Sequence, residues 1–333
     1  MSTPTVRPGA LPADDRPSGG ARIVVGVDGS DGARSALVWA LAEAARRGAQ
    51  MVVVSAFPVD YYWTDAYLVD PNRLDAVRAD TDTRTRAMVD EARRNPAVTA
   101  VTGADSVEVQ VAVVAGAAAE HLVNAAEDAD LLVVGSRGRS GVRSTLLGSV
   151  ALHCTTHARC PVVVVHPLSG SAPEAGRKVV VGLDDSDMSR EALRHAVAEA
   201  GRLGAEVEGV VAYHPVSPWS ELYTLGAPLG GELEEHARRR GEAMVAEVLG
   251  TFPDGSTPKV RVVAVEGPPG YVLIRRAQDA ALLVVGSRSR SRLRGMVLGS
   301  VALDCVVHGT GPVMVVHPDG ALASALLAAP AQA

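Results

Sequence analysis

Two stretches of this chain are near copies of one another: VVGSRGRSGVRSTLLGSVALHC from Val133 to Cys154, and VVGSRSRSRLRGMVLGSVALDC from Val284 to Cys305. A long-interval repeat builds the same unit twice, so it fixes the domain plan before any helix or strand is placed. Gly116, Gly135, Gly148, Cys154 and His166 recur as Gly267, Gly286, Gly299, Cys305 and His317, each 151 residues on. Nearer the start, Val25-Gly-Val-Asp-Gly-Ser30 recurs as Val181-Gly-Leu-Asp-Asp-Ser186 at an interval of 156. Copy one is therefore five residues longer ahead of Gly116.

Each copy alternates short apolar runs with helical patterns. In copy one, strands are expected over Ile23–Val27, Met51–Ser55, Val107–Val113, Leu131–Val134 and Val162–His166. Helices are expected over Gly32–Arg47, Arg73–Arg94 and Ala118–Glu127, with a short one capped by Ser149. Continuous runs such as Val162–Val165, separated by helices, indicate parallel strands covered on both faces. The expected class is α/β: two tandem doubly wound domains, each a five-stranded parallel sheet with helices on both faces. The boundaries follow from composition. Residues 1–20 are rich in Pro, Gly, Asp and Arg and read as disordered. Domain one takes 21–167, the linker 168–177, domain two 178–318 and an Ala-rich tail 319–333.

The repeated stretch carries the chemistry. Gly135, Gly138 and Gly148, then Ser149, form a Gly-x2-Gly-x9-Gly-Ser pattern directly after a buried strand. Glycine lets a ligand approach the backbone, and the free N–H groups of a helix N-terminus attract anions. This suits a phosphate. Asp28 follows the first strand, and in open parallel sheets ligands bind outside the carboxyl ends of strands where the strand order reverses. If strands one and four are neighbours there, Asp28 faces the glycine loop, and its carboxylate can accept hydrogen bonds from a ribose or a base.

These motifs resemble the universal stress protein family, and the resemblance runs from about Arg22 to Pro318. Gly-x2-Gly-x9-Gly-Ser is that family's ATP motif, complete in copy one. The resemblance implies that Asp28 contacts the nucleoside and Ala56 lines the adenine pocket. It implies that Gly135, Gly138, Gly148, Ser149 and Val150 hold ribose and phosphates. In copy two, Asp184, Gly286, Gly299, Ser300 and Val301 take the matching places. Copy two departs at Asp185, where copy one has Gly29, and at Ser289, where it has Gly138. Asp185 is expected to add negative charge near the pocket and weaken the second site. Tyr213 is the approximate match to Ala56. Loop arginines, Arg139 among them with Arg137, Arg143, Arg288, Arg290, Arg292 and Arg294, can clamp phosphates or simply be solvated.

The function expected is an ATP-binding stress-response regulator with two pockets, magnesium accompanying the ATP, and slow or no hydrolysis. There is no Gly-x4-Gly-Lys-Ser/Thr phosphate loop and no Gly-x-Ser-x-Gly elbow. An enzyme using the same pocket, and an interaction protein with an empty second pocket, are the alternatives. Net charge is −6 and aromatics are 3% of the chain, which argues against nucleic acid as a partner. No apolar run is long enough for a bilayer, and three cysteines make no secreted framework, so a cytoplasmic location is expected. Besides ATP, a homodimer and an unidentified protein are the partners left open. The tyrosine-rich loop Phe57–Tyr67 is either a partner surface or a flap over the pocket or the neighbouring domain. His153 and His157 have zinc-pair spacing without a third ligand, and Cys154 and Cys305 read as core residues.

Overall fold

The computed structural model describes residues 20–57, 71–138, 147–167, 178–214, 230–253, 255, 257–288 and 298–318, the side chains of 71–73 and 230 excepted. The expected disordered segment before residue 20, the linker, the tail and the tyrosine-rich loop lie outside these residues. The chain divides into two compact units, Met1–Pro167 and Leu168–Ala333.

In unit one the strands are β1 (Arg22–Val27), β2 (Gln50–Phe57), β3 (Val109–Ala115), β4 (Leu131–Gly135) and β5 (Val162–Val165). They pair in the order β3-β2-β1-β4-β5, all parallel. The helices are α1 (Asp31–Arg47), α2 (Pro71–Arg93), the short α3 (Pro96–Thr99), α4 (Ala118–Ala125) and α5 (Ser149–His157). α1 packs on β1 and β4 and touches α2, while α4 packs on β1 and β2 and touches α5. Helices on both faces explain why the strands need not alternate: Ile23, Val24 and Val25 are all fully buried. The third strand starts at Val109 rather than Val107, because Ala104–Ser106 forms a 3-10 turn ahead of it.

Unit two repeats the plan with β6 (Val179–Gly182), α6 (Asp187–Leu203), β7 (Val207–Tyr213), α7 (Gly230–Leu249), β8 (Val260–Glu266), α8 (Pro269–Arg276), β9 (Leu282–Gly286), α9 (Ser300–His308) and β10 (Val313–Val316). Its parallel order is β8-β7-β6-β9-β10.

Local chemistry sets the element ends. Ser30 caps α1 by accepting from the Ala33 N–H at 3.1 Å, and Ser186 caps α6 by accepting from Ser189 at 3.1 Å. Both helices stop at a glycine in the left-handed region, Gly48 at φ 60° and Gly204 at φ 61°. In each unit the chain reverses its winding between strands one and four, β1/β4 and β6/β9. That crevice, at the carboxyl ends of the strands, is where an open α/β sheet takes a ligand.

Candidate functional site

Asp28 leaves the end of β1 into a turn set by Gly29, at φ 86°. The Ser30 N–H donates to Asp28 Oδ1 at 3.0 Å, which fixes the carboxylate against its own backbone. Its other oxygen points at the glycine loop: a methyl group built on Gly138 would lie 2.6 Å from Asp28 Oδ2. β1 and β4 are paired neighbours, so Asp28 faces the loop as the sequence led us to expect.

The loop after β4 starts and closes on one residue. Ser136 donates its N–H to Val165 of β5 at 2.8 Å, and its carbonyl accepts from Gly148 at 2.8 Å. The Gly148 carbonyl then accepts the first intrahelical bond of α5, from Leu152 at 3.0 Å. Gly148 is therefore the cap residue, and Ser149 stands one position inside the helix with its side chain exposed. This corrects the expectation that Ser149 caps the helix. Among the described residues no side chain caps α5, which leaves the first-turn N–H groups of Ser149, Val150 and Ala151 to an anion. α9 repeats the arrangement: the Gly299 N–H donates to the Ser287 carbonyl at 2.7 Å, and again no side chain among the described residues caps the helix. The hydroxyls of Ser136 and Ser287 are both buried without a hydrogen-bond partner, the same orphan in each copy.

The glycines of the motif have different duties. A methyl group on Gly135 would lie 2.5 Å from the carbonyl carbon of Gly32, and one on Gly32 would lie 2.5 Å from the Arg137 carbonyl oxygen. Gly135 thus lets α1 cross close over β4, a packing duty. Gly32 has the same role and was missed, although a glycine in the first turn of a helix is a signal of close approach. Gly148 differs. Its φ of −75° and ψ of 149° suit any residue, and a methyl group there would make only an ordinary 3.5 Å contact with the Ser136 carbonyl oxygen. Among the described residues nothing requires glycine at 148.

In unit two the crevice encloses a cavity of about 220 Å³. Asp184, Arg288 and Gly299 stand on its walls, with an apolar lining that includes Val210, Ala212, Leu273 and Val301. Through the strand registers and the sequence repeat, these match Asp28, Arg137, Gly148, Val54, Ala56, Leu122 and Val150 of copy one. Eleven of the fourteen lining residues are the same in both copies. The three that differ are Leu183 for Val27, Ser189 for Ala33 and Pro269 for Ala118. Ala212, not Tyr213, is the true match to Ala56. Tyr213 pairs with Glu266 in the register where Phe57 pairs with Ala115. Gly286 and Ser300 occupy the places of Gly135 and Ser149, with Met188 over Gly286 where copy one has Gly32.

Asp185 takes the left-handed place of Gly29, at φ 68°. Its carboxylate forms an ion pair with Arg240 of α7. The charge expected to weaken the second site is therefore balanced by a guanidinium. Cys154 and Cys305 are fully buried, and burial pushes these thiols and that of Cys160 up to about 12. Such thiols stay protonated and inert. The rings of His153 and His157 stack, with centroids 4.1 Å apart. Arg139, Arg143, Ser289, Arg290, Arg292 and Arg294 lie outside the described residues. Among the described residues no helix is long and apolar enough to cross a membrane.

Known proteins converge on one family. Its sequence profile, that of the universal stress protein family, matches residues 21–166 and again 176–317. A universal stress protein of Mycolicibacterium smegmatis is 32% identical over 302 residues, covering 89% of this chain and 97% of the relative. One from Mycobacterium tuberculosis is 31% identical over 300 residues, covering 88% and 96%. The crystal structure of a universal stress protein from Archaeoglobus fulgidus shares the fold, with a TM-score of 0.60 at 18% identity, over 90% of this chain and 97% of that one. With two matched domains and full-length relatives of the same kind, the chain belongs to the universal stress protein family as a tandem of two of its domains.

Proposed function

We propose that this protein is an ATP-binding regulator of a stress response that holds one nucleotide at the carboxyl end of each sheet. The reading rests on the sameness of the two pockets. Eleven of fourteen wall positions are identical between copies, whereas α2 and its counterpart α7 agree at five of the 23 positions of α2. A wall held this constant beside so variable a helix indicates a shared ligand. Its chemistry runs from one end to the other. Asp28 and Asp184 accept hydrogen bonds from the nucleoside, and the small side chains Ala56 and Ala212 leave room for a flat base on an apolar floor. The bare N-termini of α5 and α9 face the phosphates, with Arg137 and Arg288 beside them, and magnesium enters as the phosphates' counter-ion. Gly148, at which no described residue demands glycine, lets the phosphates approach the backbone, and Gly299 is its counterpart in copy two.

Turnover is expected to be slow, because the pocket walls bring binding groups and no phosphate-loop lysine. Calorimetric titration of the full chain with ATP is expected to give two sites. Gly148→Glu and Gly299→Glu each place a carboxylate against the phosphates and should each remove one site; the double variant should remove both while the protein stays folded. A wild-type chain that binds no ATP at millimolar concentration, or a folded double variant that binds as before, refutes the reading.

A further inference from the structure

We infer that Arg240 is a positioning residue for the second nucleotide site: its ion pair with Asp185 holds the turn that sets Asp184. The inference rests on the nucleotide reading above and concerns what distinguishes one copy from the other.

Both copies need a residue with positive φ directly after the pocket aspartate. Copy one uses Gly29, at φ 86°, which adopts it without steric cost. Copy two uses Asp185, at φ 68°, where a side chain is disfavoured even though aspartate tolerates the region better than most. This turn decides where the pocket carboxylate sits, because the Ser186 N–H that follows it donates to Asp184 Oδ1 at 3.1 Å, and the Ser186 hydroxyl donates to the same oxygen at 2.5 Å. Asp184 itself lines the cavity.

Two arginines hold the turn. Arg240 of α7 binds the Asp185 carboxylate, and Arg190 of α6 donates to the Asp185 carbonyl at 3.1 Å. Arg190 is in turn tied to Glu247 of α7 at 3.2 Å. Sequence comparison of the copies shows a matched exchange. Arg240 corresponds to Arg84, which in copy one pairs with Asp80 one helical turn back, at 2.9 Å. In copy two His236 stands at the place of Asp80, and the acid appears in the loop instead. The arginine has kept its place while its partner has moved from its own helix to the rim of the site. An ordinary surface pair would contribute little. This one opposes a backbone preference at the residue beside the pocket aspartate, so its loss should show in the pocket.

The test uses the full chain with the first site closed by Gly148→Glu, and reads ATP affinity by calorimetry and hydrogen exchange at the Ser186 amide without ligand. Arg240→Ala should weaken ATP about three- to tenfold, less than the full left-handed penalty of an ordinary side chain because aspartate tolerates the region better, and should speed exchange at Ser186. Asp185→Gly should hold affinity within about twofold, as glycine needs no latch. Arg240→Ala made in the Asp185→Gly chain should then have no further effect, and Arg240→Lys should recover most of the loss. An Arg240→Ala chain with unchanged affinity and unchanged exchange overturns the inference. So does a loss that persists in the Asp185→Gly background, since Arg240 would then touch the nucleotide itself. A parent chain that binds no ATP overturns the nucleotide reading of this site, and the inference with it; exchange at Ser186 still reports the latch separately.

Discussion

Glu208 offers the sharpest test of how unit two is held together. Its carboxylate is 2% exposed and sits near the amino end of β7, at the opposite end of the sheet from the cavity. Arg276 grips it with two hydrogen bonds of 2.7 Å, Lys178 with one of 3.0 Å and Arg261 with one of 2.5 Å. Burial alone would raise its pKa; the bonds from Arg276, Lys178 and Arg261 outweigh burial and hold it at about 2 against an ordinary 4.5. Glu208→Gln leaves the three cations facing an uncharged amide. Breaking a buried pair costs about 3–5 kcal/mol. Here the side chains of Lys178, Arg261 and Arg276 are 32%, 62% and 36% exposed, so water recovers part of the loss. About 2–3 kcal/mol should remain, or a fall of about 5–10 °C in the melting of a unit of this size. A carboxyl held below its unfolded pKa stabilises the fold fully above pH 4.5 and loses that contribution as pH falls toward about 2. The gap between wild type and Glu208→Gln, measured by calorimetry, should therefore be constant from pH 7 to about pH 5 and close toward about pH 2. In copy one Val52 stands at this place and Ala125 stands where Arg276 does. The double variant Glu208→Val with Arg276→Ala should accordingly come within about 1 kcal/mol of wild type, since a buried ion pair replaced by packed apolar groups is often neutral. A Glu208→Gln chain melting within 2 °C of wild type at pH 7, on the scale of about 2–4 °C per kcal/mol, or a gap that persists unchanged at pH 2, refutes the reasoning.

Gly135→Ala should destabilise unit one by about 1–3 kcal/mol, because its methyl group meets the Gly32 backbone. Gly148→Ala should cost under about 0.5 kcal/mol in urea unfolding yet weaken ATP at the first site; equal destabilisation by both would undo the division of duties between these glycines. Steady-state phosphate release from purified protein should stay below about 1 per second, the low end of ordinary enzymes. Fast release that Asp28→Ala abolishes would make the protein a hydrolase.

Much of the plan could be read from the chain because it is written twice. The repeat fixes two units, apolar runs such as Val162–Val165 fix parallel strands, and the position of Asp28 after β1 fixes its place opposite the glycine loop. What escaped the sequence was decided by contacts between distant residues. Gly135 follows a strand, as a phosphate-binding glycine would, and only the crossing of α1 at Gly32 shows that packing also demands glycine there. Ser149 has the chemistry of a cap, but the cap is the residue whose carbonyl takes the first helical bond, and that is Gly148. Tyr213 looked like the partner of Ala56 until the register of β7 with β8 put Ala212 there. Asp185 read as a repulsive charge because Arg240 lies 55 residues away in sequence.

The two copies also separate the demands of binding from those of stability. At the carboxyl end of the sheet their walls agree, down to the same orphaned hydroxyl at Ser136 and Ser287. At the amino end they differ in kind: Val52, Gln110 and Ala125 in copy one are replaced by Glu208, Arg261 and Arg276 in copy two. Folding imposes its requirement at both ends, and here it is met at one of them by apolar packing in one unit and by an ionic cluster in the other. A requirement that admits two solutions at one end cannot explain why only one appears at the other. The agreement at the carboxyl end therefore points to something both pockets must fit, which the proposed nucleotide would supply. The turn at Asp185 follows the same logic: the acid that stands in place of Gly29 meets Arg240, an arginine that copy one already carries as Arg84.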